Sequence, residues 1–198
     1  MKQIIHYALI LDQSGSMQEL RKEVISSFNE QIDMVQRLRK ENTESEIKLT
    51  LCVFNDQVDF RYFEEDIDHA VKLNIEFYNP DGCTALYDAI GITILRIGEV
   101  IKEGEKAYLA IFTDGLENAS MKYTASDISY KLGQAEKLGW NIKFFCRYED
   151  ESNYRAKLNL RSDQLLRTTV DEDGMKCMYN RIMCDLSRIT NDSEDAEV

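Results

Sequence analysis

Ile4-Ile5-His6-Tyr7-Ala8-Leu9-Ile10-Leu11-Asp12-Gln13-Ser14-Gly15-Ser16 is the stretch on which the fold turns. The run from Ile4 to Leu11 is almost continuously apolar, the pattern of a central strand buried on both faces of a parallel sheet rather than the alternation of a half-exposed one. It stops abruptly at Asp12. Downstream, Val24, Ile25, Phe28, Ile32, Val35 and Leu38 recur at helical spacing, so the segment between is the loop at a strand's carboxyl end, just before a crossover helix. In open α/β sheets that edge is where ligands bind, at the point where strand order reverses.

Working outward, the same alternation of buried strand and amphipathic helix fills the chain. Ile47 to Phe54 and Val58 to Phe63 are strand-like runs joined by Asn55-Asp56-Gln57, which predicts a hairpin and hence an antiparallel strand at the sheet edge. The only proline, Pro80, opens the turn Pro80-Asp81-Gly82-Cys83-Thr84, and a helix from Ala85 to about Ile101 follows. Lys106 to Phe112 is a second buried strand, ending at Thr113-Asp114-Gly115. Thr124 to Leu138 predicts a helix closed by Gly139, then Trp140 to Cys146 a strand, and Gln164 to Val170 a weaker one. The last helix, from about Gly174, buries Met175, Met178, Ile182, Leu186 and Ile189, with Cys177 and Cys184 expected on the same apolar face. About six strands and six helices use up the length. The expected fold is α/β: a doubly wound, mostly parallel six-stranded sheet with one antiparallel edge strand and helices on both faces. Residues 1–189 form one domain, and 190–198 read as an acidic, solvated tail.

Composition bounds the function. With 198 residues, 43% of them hydrophobic, the chain has enough apolar material for one real core. A net charge of −12 repels nucleic-acid phosphates and anionic lipid heads, so neither partner is expected. Five cysteines without paired Cys-x-x-Cys spacing favour neither a disulfide framework nor a structural zinc site. Together with the lack of a leader-like N-terminus or a bilayer-length apolar run, they predict a cytoplasmic protein.

Asp12, Ser14 and Ser16 alternate along the first loop, so their side chains point the same way if that loop is near-extended, while Gly15 allows the tight turn into the helix. If the first strand and Lys106 to Phe112 lie side by side, Asp114 faces the same crevice, and Thr84 reaches it from the flank. Two carboxylates and three hydroxyls make an all-oxygen site suited to a hard cation. Mg²⁺ fits best, since it keeps several waters and needs few rigid oxygen ligands; Mn²⁺ and Ca²⁺ are the alternatives.

These residues resemble a known family. Asp12-Gln13-Ser14-Gly15-Ser16, the Thr84 of Gly82-Cys83-Thr84-Ala85-Leu86-Tyr87-Asp88-Ala89, and Phe112-Thr113-Asp114-Gly115 are similar, in order and spacing, to the three parts of the metal-ion-dependent adhesion site of von Willebrand factor type A domains. The resemblance covers residues 1–189 and implies a doubly wound sheet with one antiparallel edge strand. It implies that Ser14, Ser16 and Thr84 contact the metal directly, that Asp12 and Asp114 do so directly or through water, and that a glutamate or aspartate of a partner protein completes the shell. Cys83 departs from the family pattern, which often has glycine there. Among its members the chain most resembles the small intracellular bacterial ones.

The leading expectation is therefore a metal-dependent protein-binding module and not an enzyme. A Mg²⁺-dependent phosphoryl-transfer or hydrolytic enzyme is the second reading, disfavoured because there is no Gly-x-x-x-x-Gly-Lys loop and no Asp-x-Asp pair. A scaffold with a purely structural metal is the third. Asp88 is expected to cap or support rather than touch the metal, and His6 shows no catalytic partner in the sequence. Glu64-Glu65-Asp66 and Glu149-Asp150-Glu151 read as solvated surface.

Overall fold

The computed structural model describes residues 2–169 and 171–191. Its strands are β1 (Gln3–Asp12), β2 (Ser45–Phe54), β3 (Val58–Asp66), β4 (Lys106–Phe112), β5 (Asn141–Cys146) and β6 (Leu165–Arg167). Its α-helices are α1 (Arg21–Glu41), α2 (Leu86–Val100), α3 (Ala125–Lys137), α4 (Glu151–Leu158) and α5 (Glu172–Asn191). The strands form one sheet in the order β3-β2-β1-β4-β5-β6. Only β3 is antiparallel, paired with β2 across the Asn55–Gln57 turn. The doubly wound α/β sheet with its antiparallel edge strand is thus as anticipated.

The core has two layers because β1 is apolar on both faces. Ile5, Tyr7, Leu9 and Leu11 pack with α1 and α5, while Ala8 and Ile10 pack with α2, α3 and α4. All six of these residues are essentially inaccessible to solvent, which explains the continuous apolar run. From β1 the chain winds through α1 to β2 on one side, and from β3 through α2 to β4 on the other. The order therefore reverses between β1 and β4, which pair directly from Ile5 opposite Lys106 to Leu11 opposite Phe112.

Several expectations need correction. Five α-helices and three short 3₁₀ turns replace six helices among the described residues. The weak strand shrinks to Leu165–Arg167, with Val170 outside the described residues. The last helix runs two residues past 189 to Asn191; the rest of the anticipated tail, 192–198, lies outside the described residues. Cys177 and Cys184 are exposed, since Cys177 falls one residue from Met178 and two from Met175, and Cys184 two from both Ile182 and Leu186, which turns them off the Met175, Met178, Ile182, Leu186 stripe to the outer face of α5. Neither acidic cluster is merely solvated: β3 extends through Glu64 and Glu65 to Asp66, and Asp150 is buried at the entry to α4. Among the described residues no helix is long and apolar enough to cross a membrane.

Candidate metal centre

The carboxyl ends of β1 and β4 bring four of the five predicted residues into one hydrogen-bonded chain. Asp12, the last residue of β1, is fully buried, and both its oxygens are engaged. Oδ1 accepts the Ser14 backbone N–H at 2.7 Å, and Oδ2 accepts the Thr113 hydroxyl at 2.6 Å. Ser16 Oγ donates to Asp114 Oδ1 at 2.6 Å, and Ser14 Oγ lies 3.2 Å from Ser16 Oγ. A hydroxyl has one proton. With the proton of Ser16 committed to Asp114, Ser14 is the donor to Ser16. Asp12, Ser14 and Asp114 are buried, whereas Ser16 is exposed, so the group opens to solvent on the Ser16 side.

Thr84 enters differently. Its hydroxyl makes no hydrogen bond to the other four, but its backbone is gripped from the β4 side. Its N–H donates to Asn118 Oδ1 at 2.8 Å, and its carbonyl accepts from the N–H groups of Asn118 and Ala119. From the β1 side the same turn is held by Gly15, whose N–H donates to the Gly82 carbonyl at 3.0 Å. Thr84 is itself buried and stands between the two loops. Gly82 has to be glycine: its φ is +76°, and a Cβ there would fall 2.1 Å from Asp56 Oδ2.

Other side chains brace the crevice. The Tyr78 hydroxyl donates to the Asp12 carbonyl at 2.6 Å, and the Tyr154 hydroxyl donates to the Gly115 carbonyl at 2.5 Å. Neither could be read from the sequence, because they lie far along the chain in an irregular segment and in the weakly patterned α4. Thr113 could have been found, since it is part of the motif already singled out.

Electrostatically, the site leaves negative charge uncompensated. Burial pushes the Asp12 carboxyl up to about 6 against the opposing effect of its Thr113 and Ser14 hydrogen bonds, and the charge of Asp114 adds to the rise. Asp114 is also raised, chiefly by burial, with the Ser16 hydrogen bond and the charge of Arg147 pulling the other way. Two buried carboxylates close together are costly in ionised form unless a cation joins them. The donor set fits a hard divalent ion: carboxylates and neutral hydroxyls only, all oxygen. Among the described residues no three His, Cys, Asp or Glu side chains converge, so the hydroxyls would have to complete any such site.

The chain matches no protein-family model and no curated protein sequence. It does resemble solved structures at low identity. The PilB minor pilin from Streptococcus sanguinis superposes with a TM-score of 0.66 at 13% identity, over 96% of this chain and 63% of the pilin. The vWF domain of the type V pili tip protein Mfa5 from Porphyromonas gingivalis gives 0.67 at 9% identity, over 94% and 96% of the two chains. Proximal thread matrix protein 1 from the mussel byssus, with a zinc-occupied MIDAS motif, gives 0.63 at 12%, over 92% and 48%. This chain thus spans under two thirds of the pilin and about half of the byssus protein. The shared architecture is the Rossmann-like von Willebrand factor type A fold.

Proposed function

We propose that this chain is a protein-binding module whose grip depends on a divalent cation, Mg²⁺ by preference, held by Asp12, Ser14, Ser16, Thr84 and Asp114. The observation that carries the reading is the chain Ser14 to Ser16 to Asp114 beside the doubly anchored carboxylate of Asp12, at the one place where strand order reverses. A hydroxyl that donates its proton still has two lone pairs, so Ser14, which donates to Ser16, keeps both and Ser16, which donates to Asp114 and accepts from Ser14, keeps one; each can offer an oxygen outward while its proton stays within the protein. Thr84, with no intramolecular bond to its hydroxyl among these residues, is disposed to do the same. When bound, the ion supplies Lewis acidity and an open position for an anionic oxygen. A glutamate or aspartate of a partner protein is the natural occupant.

The similar structures support this. One is a pilin, one a pilus tip domain, and one a byssus matrix protein with zinc in its MIDAS motif. A binding role is preferred to catalysis because Asp12, the residue best placed to act as a base, has both oxygens occupied by donors. All five cysteines are free, which suits a reducing interior, and we place the protein there.

The test is capture of partners from lysate of the source cell with Mg²⁺ or with EDTA, using wild type and Thr84→Ala. Capture should require Mg²⁺ and be lost in the variant. Capture that is indifferent to both overturns the reading.

A further inference from the structure

Asp88 sits one helical turn beyond Thr84 in α2 and is 7% exposed. In the first turn of a helix, a carboxylate ordinarily serves that helix's own N–H groups or its dipole. Asp88 does neither. Its Oδ2 accepts from the Met121 N–H at 3.0 Å, and its Oδ1 from the N–H groups of Lys122 and Tyr123, both at 2.9 Å. All three belong to the segment between β4 and α3, which carries Asp114 near its start.

The contact is reciprocal. The Glu117 carboxylate, from that segment, accepts the Tyr87 backbone N–H of α2 at 3.0 Å and the Ser120 hydroxyl at 2.7 Å. Ser120 Oγ in turn accepts the Asp88 backbone N–H at 3.0 Å. Further along, the Tyr123 ring lies so close to Gly91 that a Cβ there would fall 2.5 Å from it. The segment is therefore seated directly on the first turns of α2, clamped by a buried carboxylate with three donors, an arrangement stronger than neutral hydrogen bonds.

Thr84 and Asp114 share no hydrogen bond, and they belong to different elements. What joins them is this seam together with the bonds of the Thr84 backbone to Asn118 and Ala119, because Thr84 precedes α2 and Asp114 stands at the head of the segment docked on it. Resting on the metal-binding reading above, we propose that Asp88 is a positioning residue that fixes the Thr84 to Asp114 spacing and so selects Mg²⁺ over Ca²⁺. Mg²⁺ needs near-octahedral ligands at about 2.0–2.1 Å, while Ca²⁺ accepts a looser shell at about 2.3–2.6 Å. A rigid seam favours the smaller ion. A slack one gives up that preference.

The experiment measures Mg²⁺ and Ca²⁺ dissociation constants by calorimetry for wild type, Asp88→Ala and Asp88→Asn, alongside metal-free hydrogen exchange of the Met121, Lys122 and Tyr123 amides. In Asp88→Ala those amides should lose protection while β1 and β4 keep theirs. The Mg²⁺ constant should rise about tenfold, as for loss of a ligand-orienting partner, with a much smaller rise for Ca²⁺, so that the selectivity ratio falls. Asp88→Asn, nearly isosteric, should shift the ratio in the same direction and stands in if the alanine variant does not fold. An unchanged ratio, whether both constants move together or neither moves, overturns the proposal while leaving the metal site standing. Wild type that binds neither ion overturns the metal-binding reading, and this inference with it.

Discussion

Two buried polar clusters lie on the same strand and handle charge in opposite ways. Near the start of β1, His6 is 4% exposed and is flanked by carboxylates, with Nδ1 2.6 Å from Glu64 Oε2 and Nε2 2.9 Å from Glu105 Oε2. Thr50 adds its hydroxyl to Glu64 Oε1, and the Lys102 N–H donates to Glu105. At the end of β1, Asp12 and Asp114 face each other's charge with hydroxyls, N–H dipoles and, for Asp114, the single charge of Arg147 for company. In the first cluster both carboxylates have cationic partners within the chain, since protonated His6 meets Glu64 and Glu105 and the charge of Lys102 also acts on Glu105, and the cluster belongs to the fold. The second is in electrical deficit, and a deficit held in place by rigid strands is what a binding site for an external cation requires.

That contrast predicts where metal will matter. With Mg²⁺ at about a hundred times its dissociation constant, binding stabilises the protein by about 2.7 kcal/mol, or roughly 5–10 °C in Tm for a chain of this size. Asp12→Ala should erase that gain in thermal melts, and EDTA should erase it in wild type; a gain that survives the substitution breaks the comparison at its stronger end.

The His6 cluster should behave in the complementary way. Replacing both Glu64 and Glu105 by Gln should destabilise the protein by about 1–2 kcal/mol, less than for a fully buried pair because both carboxylates keep some solvent. The loss should be the same with and without Mg²⁺. Burial alone would lower the His6 pKa, but the hydrogen bonds and charges of Glu64 and Glu105 together raise it above 6.5. The folded state then holds the proton more tightly than the unfolded one, so the stabilisation is complete below pH 6.5 and is lost as pH rises through the folded value. Melts in EDTA from pH 6 upward should show Tm falling in wild type and a flatter course in the double variant.

The smallest expected effect sharpens the other side. Arg147 is the cation whose charge counters Asp114, and it also pairs with Asp150 at 3.3 Å. Arg147→Gln should deepen the deficit and tighten Mg²⁺ binding by roughly two- to threefold, a size typical of partly exposed charges. Weaker binding in a titration would mean that Arg147 braces the site rather than opposing the ion.

These clusters were unequally legible. Asp12, Ser14, Ser16 and Asp114 stood out because strand ends can be read from where apolar runs stop, and the sheet then had only to place β1 beside β4. The His6 cluster was invisible: its partners are 58 and 99 residues away. Glu64 appeared as one of three acidic surface residues, and nothing local marks its φ of +56°, which accompanies the register shift that turns β3 against β2. The role of Asp88 was half legible. Its place one turn after Thr84 suggested support, but helix periodicity cannot say that its acceptors would serve a loop 33 to 35 residues on. Likewise, an offset of one or two residues, each about a hundred degrees of turn, separates Cys177 and Cys184 from the buried face of α5 on which they were expected.

The amino-acid sequence by itself determined the fold class, the order of strands and helices, and which oxygen-bearing residues stand at strand ends, because apolar periodicity and chain breaks are local properties. Only the tertiary structure decided which of those charges are balanced and which are not. Compensation depends on pairing across elements brought together by the sheet, and at His6 and Asp88 that pairing joins segments dozens of residues apart.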